Sequence, residues 1–276
     1  MTATSAVSKE LLYFPSTLLN TESFQLTDFN ERDIPQYAIL SHTWEEEEIL
    51  YRDLANSQES WADKRGAGKL KGFCKTAAEN GYEWVWDDTT NIDWYRKSHA
   101  CYVSLADVSL DSELWFDQFK RSRWFKRGWT LQELLAPEEL EFYDKDWRAL
   151  GTKSDLSEAI SLVSGIPIVV LTHQRSMFSY TVEDRMVWAA DRTTTRIEDI
   201  AYCLLGMFQM NMPLLYGEGK RAFRRLQEQL FTTTGDFTIL GWGSSEASSR
   251  RNHPKISPLL RAIASSIQRM TGHTRA

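Results

Sequence analysis

The sequence has few of the features that mark secreted, metal-binding or membrane proteins. Its 276 residues include three cysteines, Cys74, Cys101 and Cys203, which lie far apart and form no CxxC pair. This argues against a disulfide framework and a zinc site, and it fits a reducing compartment. No stretch approaches the ~20 apolar residues that span a bilayer, and the N-terminus lacks the pattern of a secretory signal. We therefore expect a cytoplasmic protein with no membrane span.

An excess of positive charge is also lacking over most of the chain. The formal net charge is −6. Residues 244–276 include six Arg and Lys residues and one Glu, so this tail has a net charge of +5 and the residues before it have −11. A basic tail without interleaved aromatic side chains is a poor nucleic-acid signature. We expect no nucleic-acid partner.

The common catalytic motifs are missing too. The chain contains no HExxH, GxSxG or GxGxxG. Residues 216–220, YGEGK, lack the phosphate-loop form because Arg221 follows Lys220. We interpret this segment as a turn between two helices. We predict no metal site, and no cofactor follows from composition.

What is present is a pattern of short buried strands and amphipathic helices. Apolar runs predict strands near residues 37–44, 83–88, 100–108 and 140–147. A helix is predicted over 69–80, with one apolar face made of Leu70, Phe73, Cys74 and Ala77. This order favours an α/β layer with a mostly parallel sheet. Four amphipathic segments follow and predict a helical subdomain: residues 156–165, 184–191 after a Thr181–Asp184 capping box, 197–208, and 220–231. The predicted domains are a lead-in (1–36), an α/β domain (37–150), a helical extension (151–243) and a basic, mobile tail (244–276).

Polar side chains gather at the carboxyl ends of the predicted strands, where ligands bind in parallel sheets. They are Ser41, His42, Asp87, Asp88 and Ser104, and we take them as candidate ligand-binding residues. The alternative for His42 is a structural role, which is the more frequent one for a lone histidine at a strand end.

Residues 121–137, RSRWFKRGWTLQELLAP, are the most informative stretch. Their apolar spacing predicts a helix that ends before Pro137. Trp129 and Glu133 are four residues apart and so share a helix face. Glu133 is a candidate catalytic acid, Trp129 its supporting aromatic surface, and Arg127 a candidate ligand-binding cation. The alternative is an ordinary ion pair at the edge of a core.

Several segments together resemble the fungal heterokaryon-incompatibility (HET) domain. They include YAILSHTW, EWVWDDTTNID, SRWFKRGWTLQELLAP and DRTTTRIEDIAYCLLGMFQMNMPLLYGEGKRAFRRLQEQL, in family order between residues 37 and 242. The resemblance implies a cell-death effector in non-self recognition between fungal strains. It implies self-association and a sensor partner of the nucleotide-binding, repeat-containing type.

The chain departs from that family pattern in three places. Glu45 replaces a usual glycine, Thr90-Asn91 replaces a usual cysteine pair, and a polar helix of roughly twenty residues is missing after Asp93. Parallel strands need a crossover of about a dozen residues. These departures leave open a degenerate, inactive copy that acts as a binding or decoy protein.

The family is in turn remotely similar to the Toll/interleukin-1 receptor (TIR) domain, which implies a flavodoxin-like sheet with flanking helices. Ser122, Trp124, Trp129 and Glu133-Leu134 echo the TIR helix whose glutamate supports NAD cleavage in the enzymatic members. By this resemblance Glu133 contacts the nicotinamide ribose of an NAD substrate and stabilises the developing positive charge. An NAD-cleaving hydrolase is therefore an alternative to a non-enzymatic effector.

Overall fold

The computed structural model describes residues 17–30, 32–56, 61–86 and 92–240. The chain divides into two compact units, one of residues 1–40 and 44–88 and the other of residues 41–43 and 89–276. Strands and helices occur in both, so the predicted α/β class is confirmed. The predicted domain limits at residues 36, 150 and 243 stay predictions. The tail 244–276 lies outside the described residues.

The described residues of the first unit form four strands and two helices. In chain order they are β1 (Thr17–Asn20), β2 (Leu26–Asp28), β3 (Tyr37–His42, of which the last two residues belong to the second unit), α1 (Tyr51–Asn56), α2 (Ala67–Glu79) and β4 (Trp84–Trp86). β1 pairs antiparallel with β2 and with β4, whereas β4 runs parallel to β3. Strand directions in this unit are therefore mixed.

In this unit helix α2 was predicted from the sequence, whereas strands β1 and β2 were not. Helix α2 buries the predicted apolar face, including Leu70 and Phe73, and ends at Asn80, followed by Gly81 with φ +85°. The helix prediction is confirmed. Strands β1 and β2 were not predicted and lie in the segment taken as a lead-in. They have four and three residues, which is too short for a visible alternation of apolar and polar side chains.

The second unit contains three further strands and nine α-helices among its described residues. They are α3 (Ile92–Lys97), β5 (Ala100–Ser104), α4 (Trp115–Arg121), α5 (Thr130–Leu135), β6 (Leu140–Tyr143), β7 (Ala149–Thr152), α6 (Ser157–Ser164), α7 (Ile168–Leu171), α8 (Val182–Ala189), α9 (Asp199–Tyr202), α10 (Leu205–Phe208) and α11 (Arg221–Thr234). β5 and β6 are parallel, and β7 is antiparallel to β6. The helices α6 to α11 belong to the same compact unit as these strands.

The prediction of one helix over residues 121–137 is wrong. Helix α4 ends at Arg121, a 3-10 turn covers Arg123–Lys126, and α5 begins at Thr130. The first break is at Ser122, whose backbone is extended (φ −53°, ψ 135°) and whose hydroxyl donates to Asp107 Oδ1 at 2.7 Å. The backbone N–H groups that follow donate to side chains and not to helical carbonyls: Arg123 N–H donates to Asp107 Oδ2 at 2.8 Å and Trp124 N–H to Ser122 Oγ at 3.3 Å. Such side-chain bonds compete with the helix.

The second break is made by a distant segment. The backbone of Arg127 bridges Thr193 in parallel fashion, and Gly128 N–H donates to Thr193 O at 2.8 Å. Pairing with residues more than sixty positions away is invisible to local spacing. It sets the entry into α5 and so the position of Glu133.

The remaining helix predictions are largely confirmed. The Thr181–Asp184 capping box opens α8, and α6 and α11 match predicted segments. The predicted helix 197–208 is instead split into α9 and α10. The short connection after Asp93 forms α3, whose Ile92 packs so closely on Gly206 that a Cβ there would overlap it. Among the helices described, none combines the length and apolar character required to cross a bilayer.

Candidate functional site

The candidate site centres on the carboxylate of Glu133, which lies on α5 and is 6% exposed. Its Oε2 accepts a hydrogen bond of 2.5 Å from the Ser41 hydroxyl. Ser41 is fully buried at the carboxyl end of β3. The structure thus brings together the predicted helix acid and one of the predicted strand-end residues, 92 positions apart. A buried acid held this way has a defined orientation.

Trp124 completes this chain of hydrogen bonds. Its indole Nε1 donates to Ser41 Oγ at 2.8 Å, so the serine hydroxyl accepts from the indole and donates to the carboxylate. The indole is fully buried, with its ring edge-on to Phe142 at 5.5 Å. Trp129, the aromatic residue expected to support Glu133, is half-buried at the start of α5. The ring coupled to Glu133 through Ser41 is that of Trp124.

An arginine that the sequence reading missed braces the same helix. Arg192 is 7% exposed, and its Nη1 donates to Arg127 O at 2.9 Å and to Thr130 Oγ1 at 2.8 Å. Thr130 is fully buried at the first position of α5, and its hydroxyl lies 2.5 Å from Trp124 O. Burial lowers the pKa of Arg192 to about 10, while the negative charge of Glu133 acts in the opposite direction. Arg192 therefore stays protonated at neutral pH, and its positive charge interacts favourably with the Glu133 carboxylate.

Gly128 is required by the close approach of a neighbouring segment. A Cβ at this position would lie 2.5 Å from Thr194 Cγ2 and 3.0 Å from Cys203 Sγ. No real Cβ tolerates the first distance without movement of its neighbour. The glycine in the KRGW segment therefore permits the contact that ends the 3-10 turn and starts α5.

The cysteines next to the site are not nucleophiles. Cys203 and Cys101 are buried free thiols. Burial raises the pKa of Cys203 to about 12 and that of Cys101 well above its ordinary value, and Glu133 adds to both effects. Because the thiolate is the reactive form, both side chains are inert at neutral pH.

The other end of α5 is held by Lys153, which sequence reasoning also missed. Its Nζ is buried and donates to Pro137 O at 2.5 Å and Leu134 O at 3.4 Å, and it lies 2.9 Å from His173 Nε2. An amine at helix carbonyls complements the helix dipole. Burial lowers the pKa of Lys153 to about 8. The helix that carries Glu133 is thus fixed by Arg192 at its start and by Lys153 beyond its end.

The interpretation of YGEGK as a turn is confirmed. Glu198 Oε1 accepts backbone N–H groups from Gly217 at 2.8 Å and from Gly219 at 2.9 Å. The hydrogen bonds, that of Gly219 first, lower the pKa of the Glu198 carboxyl. The protein's own carboxylate fills the position that an anion takes in a phosphate loop.

The remaining predicted site residues are distributed as follows. His42 and Ser104 are buried at the carboxyl ends of β3 and β5, with exposures of 8% and 5%. The Arg127 side chain is half-exposed, and its backbone carbonyl accepts from Arg192. Asp87 and Asp88 lie outside the described residues.

The missed residues left one signal in the sequence. Arg192, Thr194 and Cys203 all fall in the segment DRTTTRIEDIAYC, which was part of the family resemblance. Nothing in its composition marks Arg192 as buried, because arginine is rarely buried and the following threonines read as a loop. Only the resemblance to the HET family could have identified Arg192 as a site residue.

Comparison with known proteins places this geometry in a context. No protein-family model and no solved structure matches the chain. One curated protein does: vegetative incompatibility protein HET-E-1 of Podospora anserina, 39% identical over an alignment of 228 residues that covers 74% of this chain. The match spans only 17% of the length of that relative. The chain is therefore similar, over most of its own length, to a limited part of a fungal vegetative incompatibility protein.

Proposed function

We propose that this chain is a fungal heterokaryon-incompatibility domain protein that acts as a cell-death effector in non-self recognition. The observation that carries the proposal is the 39% identity to HET-E-1 over 74% of the chain. In this proposal the protein works in the cytoplasm and becomes active when copies associate. A sensor protein of the nucleotide-binding, repeat-containing type triggers that association.

The contacts of the motif residues support membership in that family. Ser41 of YAILSHTW, Trp124 of SRWFKRGW and Glu133 of TLQELL form one chain of hydrogen bonds. Arg192 of DRTTTR joins it by donating to Thr130. Segments that are far apart in sequence and shared with the family thus depend on one another in three dimensions, which is what a shared fold requires.

A second group of contacts links IEDIAY to YGEG in the same way. Glu198 holds Gly217 and Gly219, and the Tyr202 hydroxyl accepts from Leu215 N–H at 2.7 Å while donating to Glu218 at 2.8 Å. Tyr216 of the second motif also donates to Asp199 Oδ1 of the first at 2.9 Å. These bonds give a structural reason for the acidic and tyrosine side chains of the two motifs.

The test is inducible expression in a filamentous fungus. We expect growth arrest and cell death after induction of the wild-type chain, with assembly above the monomer by light scattering when the purified chain is concentrated. Normal growth with folded protein accumulating in the cells would overturn the effector proposal. That result would favour the inactive binding or decoy copy.

A second candidate function is hydrolysis of NAD by a TIR-like mechanism. The observation that favours it is the buried Glu133 carboxylate, oriented by Ser41 and, through it, by Trp124. In this reaction the bond between nicotinamide and ribose breaks, nicotinamide leaves with the bonding electron pair, and water adds to the ribosyl carbon and loses a proton. A fixed carboxylate stabilises the positive charge that develops on the ribose.

The enzymatic candidate is tested with purified protein and NAD. Release of nicotinamide is followed by chromatography for the wild type, for Glu133→Gln, and for Ser157→Ala as a control, because Ser157 is a buried residue of α6 outside the candidate site. The hydrolase prediction is release by the wild type and Ser157→Ala and none by Glu133→Gln. No release by the wild type, even when it is forcibly clustered, removes this candidate. Cell death that survives Glu133→Gln supports a non-enzymatic effector.

A further inference from the structure

The connection between α10 and α11 presents two large apolar side chains to the surface. Leu215 is 51% exposed and Tyr216 is 46% exposed. Tyr216 lies against the segment that leads into α9, because its ring centroid is 4.6 Å from the guanidinium carbon of Arg196 and its hydroxyl donates to Asp199. Ile197 of that segment is also exposed. The three apolar side chains and Arg196 therefore belong to one surface.

The backbone of this connection is fixed by side chains that point inward. Glu198 binds two of its glycines, as described above. The Tyr202 hydroxyl accepts from Leu215 N–H at 2.7 Å and donates to Glu218 at 2.8 Å, and Arg225 Nη2 donates to Glu218 at 2.6 Å. Apolar side chains on a fixed backbone lose little conformational entropy when a partner covers them, which is typical of the anchor residues of an interface.

The charges exposed at this surface are positive. Lys220 and Arg221 directly follow the connection, are exposed, and form no ion pair within the described part of the chain. They stand at the start of α11, where the helix dipole is also positive and favours an anion. The nearby acids Glu198 and Asp199 are buried. We define the basic patch as Ile197, Leu215 and Tyr216 together with Arg196, Lys220 and Arg221.

The same chain carries a surface of opposite character. Residues 44–51, WEEEEILY, contain four acids, three of them exposed, and the exposed aromatic side chains of Trp44 and Tyr51. We call these residues the acidic segment. Its ion pairs with Arg65 join exposed side chains, where such pairs are weak. Carboxylates complement the cations of the basic patch, and aromatic rings complement both cations and aliphatic side chains.

We propose that the basic patch of one copy of this chain binds the acidic segment of a second copy. Because the two surfaces differ, copies add head to tail and form a ring or a filament. The chain's own tail is a poor occupant, since residues 244–276 have a net charge of +5 and a positive patch repels them. Association of copies belongs to the proposed function, on which this inference rests.

The experiment measures the mass of the purified full chain by light scattering over a range of concentrations. One double variant, Lys220→Glu with Arg221→Glu, reverses the basic patch, and another, Glu46→Lys with Glu47→Lys, reverses the acidic segment. All four positions are exposed, so unchanged thermal unfolding is expected. Lys75→Glu with Lys97→Glu is the matched control, because it changes the net charge by the same amount at exposed positions elsewhere.

We expect the wild type and the control to associate, and each of the two test variants to need roughly tenfold or more higher concentration for the same mass. An equimolar mixture of the two test variants regains association, because each supplies the surface that complements the other. Leu215→Ser weakens association without a change of charge. Raising the salt from about 0.1 M to about 1 M weakens association of the wild type, since the Debye length falls from ~10 Å to ~3 Å.

Three results overturn the proposal: a wild type that stays monomeric, a test variant that associates like the wild type, and a mixture that stays monomeric. Binding of poly-glutamate to the basic patch of a monomeric wild type assigns the patch to a different acidic protein. Growth in the fungal host is scored separately. Growth arrest by a monomeric chain removes this interface and leaves the cell-death activity, whereas association through the patch without growth arrest does the reverse.

Discussion

The replacement of Ser41 by alanine is the sharpest test of the site. Ser41 Oγ accepts from Trp124 Nε1 at 2.8 Å and donates to Glu133 Oε2 at 2.5 Å. All three side chains are buried. Removing one oxygen therefore breaks two buried hydrogen bonds, one of them to an acid, while the loss of volume is minimal.

The expected cost follows from those two bonds. Leaving a buried indole N–H unsatisfied costs about 1–3 kcal/mol, and losing a hydrogen bond to a charged group costs about 1.5–3 kcal/mol. Relaxation around the small side chain recovers part of this. We expect Ser41→Ala to lower the free energy of unfolding by about 2–4 kcal/mol. For a chain of this size that corresponds to a fall of roughly 5–10 °C in the thermal midpoint.

The assay is urea unfolding followed by tryptophan fluorescence, repeated in a double-mutant cycle with Trp124→Phe. The phenylalanine ring has no N–H, so the cycle isolates the Trp124–Ser41 bond, for which we expect a coupling of about 1 kcal/mol. Ser104→Ala serves as control, because it removes a similarly buried strand-end hydroxyl outside this chain of hydrogen bonds and should cost less than about 1 kcal/mol.

The refuting result is specific. If Ser41→Ala is no more destabilising than Ser104→Ala, and the cycle with Trp124→Phe shows no coupling, the serine does not bridge the indole and the carboxylate. The orientation of Glu133 then has no structural support, and the enzymatic candidate loses its basis.

Three further outcomes follow from other contacts. Gly128→Ala should lower stability by about 1–3 kcal/mol in urea unfolding, because its Cβ meets Thr194 at 2.5 Å; an unchanged midpoint would refute the close approach. The pKa of Glu198 is lowered in the folded protein, so the stability that its carboxylate contributes is lost when it is protonated, as the pH falls below about 4.5. In Glu198→Gln the unfolding free energy should therefore fall less steeply over this pH range. The pKa of Lys153 is about 8 in the folded protein, against an ordinary value of 10.5. Between about pH 8 and 10 the unfolded chain therefore holds a proton that the folded protein has lost, so the wild type should gain stability relative to Lys153→Met as the pH rises. A difference in unfolding free energy between the two proteins that does not change with pH contradicts this.

Local sequence was sufficient where one element holds its own signal. The spacing of Leu70 and Phe73 predicted the buried face of α2, and the Thr181–Asp184 pair predicted the start of α8. The turn at residues 216–220 was likewise readable. In these places neighbouring residues supply both the apolar pattern and the caps, so helix geometry alone links the sequence to the structure.

Local sequence failed where a distant segment competes with the helix. The stretch 121–137 has helical spacing, but Asp107 accepts from the backbone N–H of Arg123, and Thr193 pairs with Arg127 and Gly128. Each contact offers the backbone a hydrogen bond outside the helix. The choice between the two conformations is made by residues that no window around position 125 contains.

The sequence by itself determined the α/β class, the apolar faces of the helices and the identity of Glu133 as the acid to examine. Only the tertiary structure decided that Ser41 binds that acid and that Trp124 is coupled to it through Ser41. It also decided that Arg192 is buried and braces α5. The physical reason is that a buried polar group is defined by its partners, and here those partners come from strands and helices widely separated along the chain.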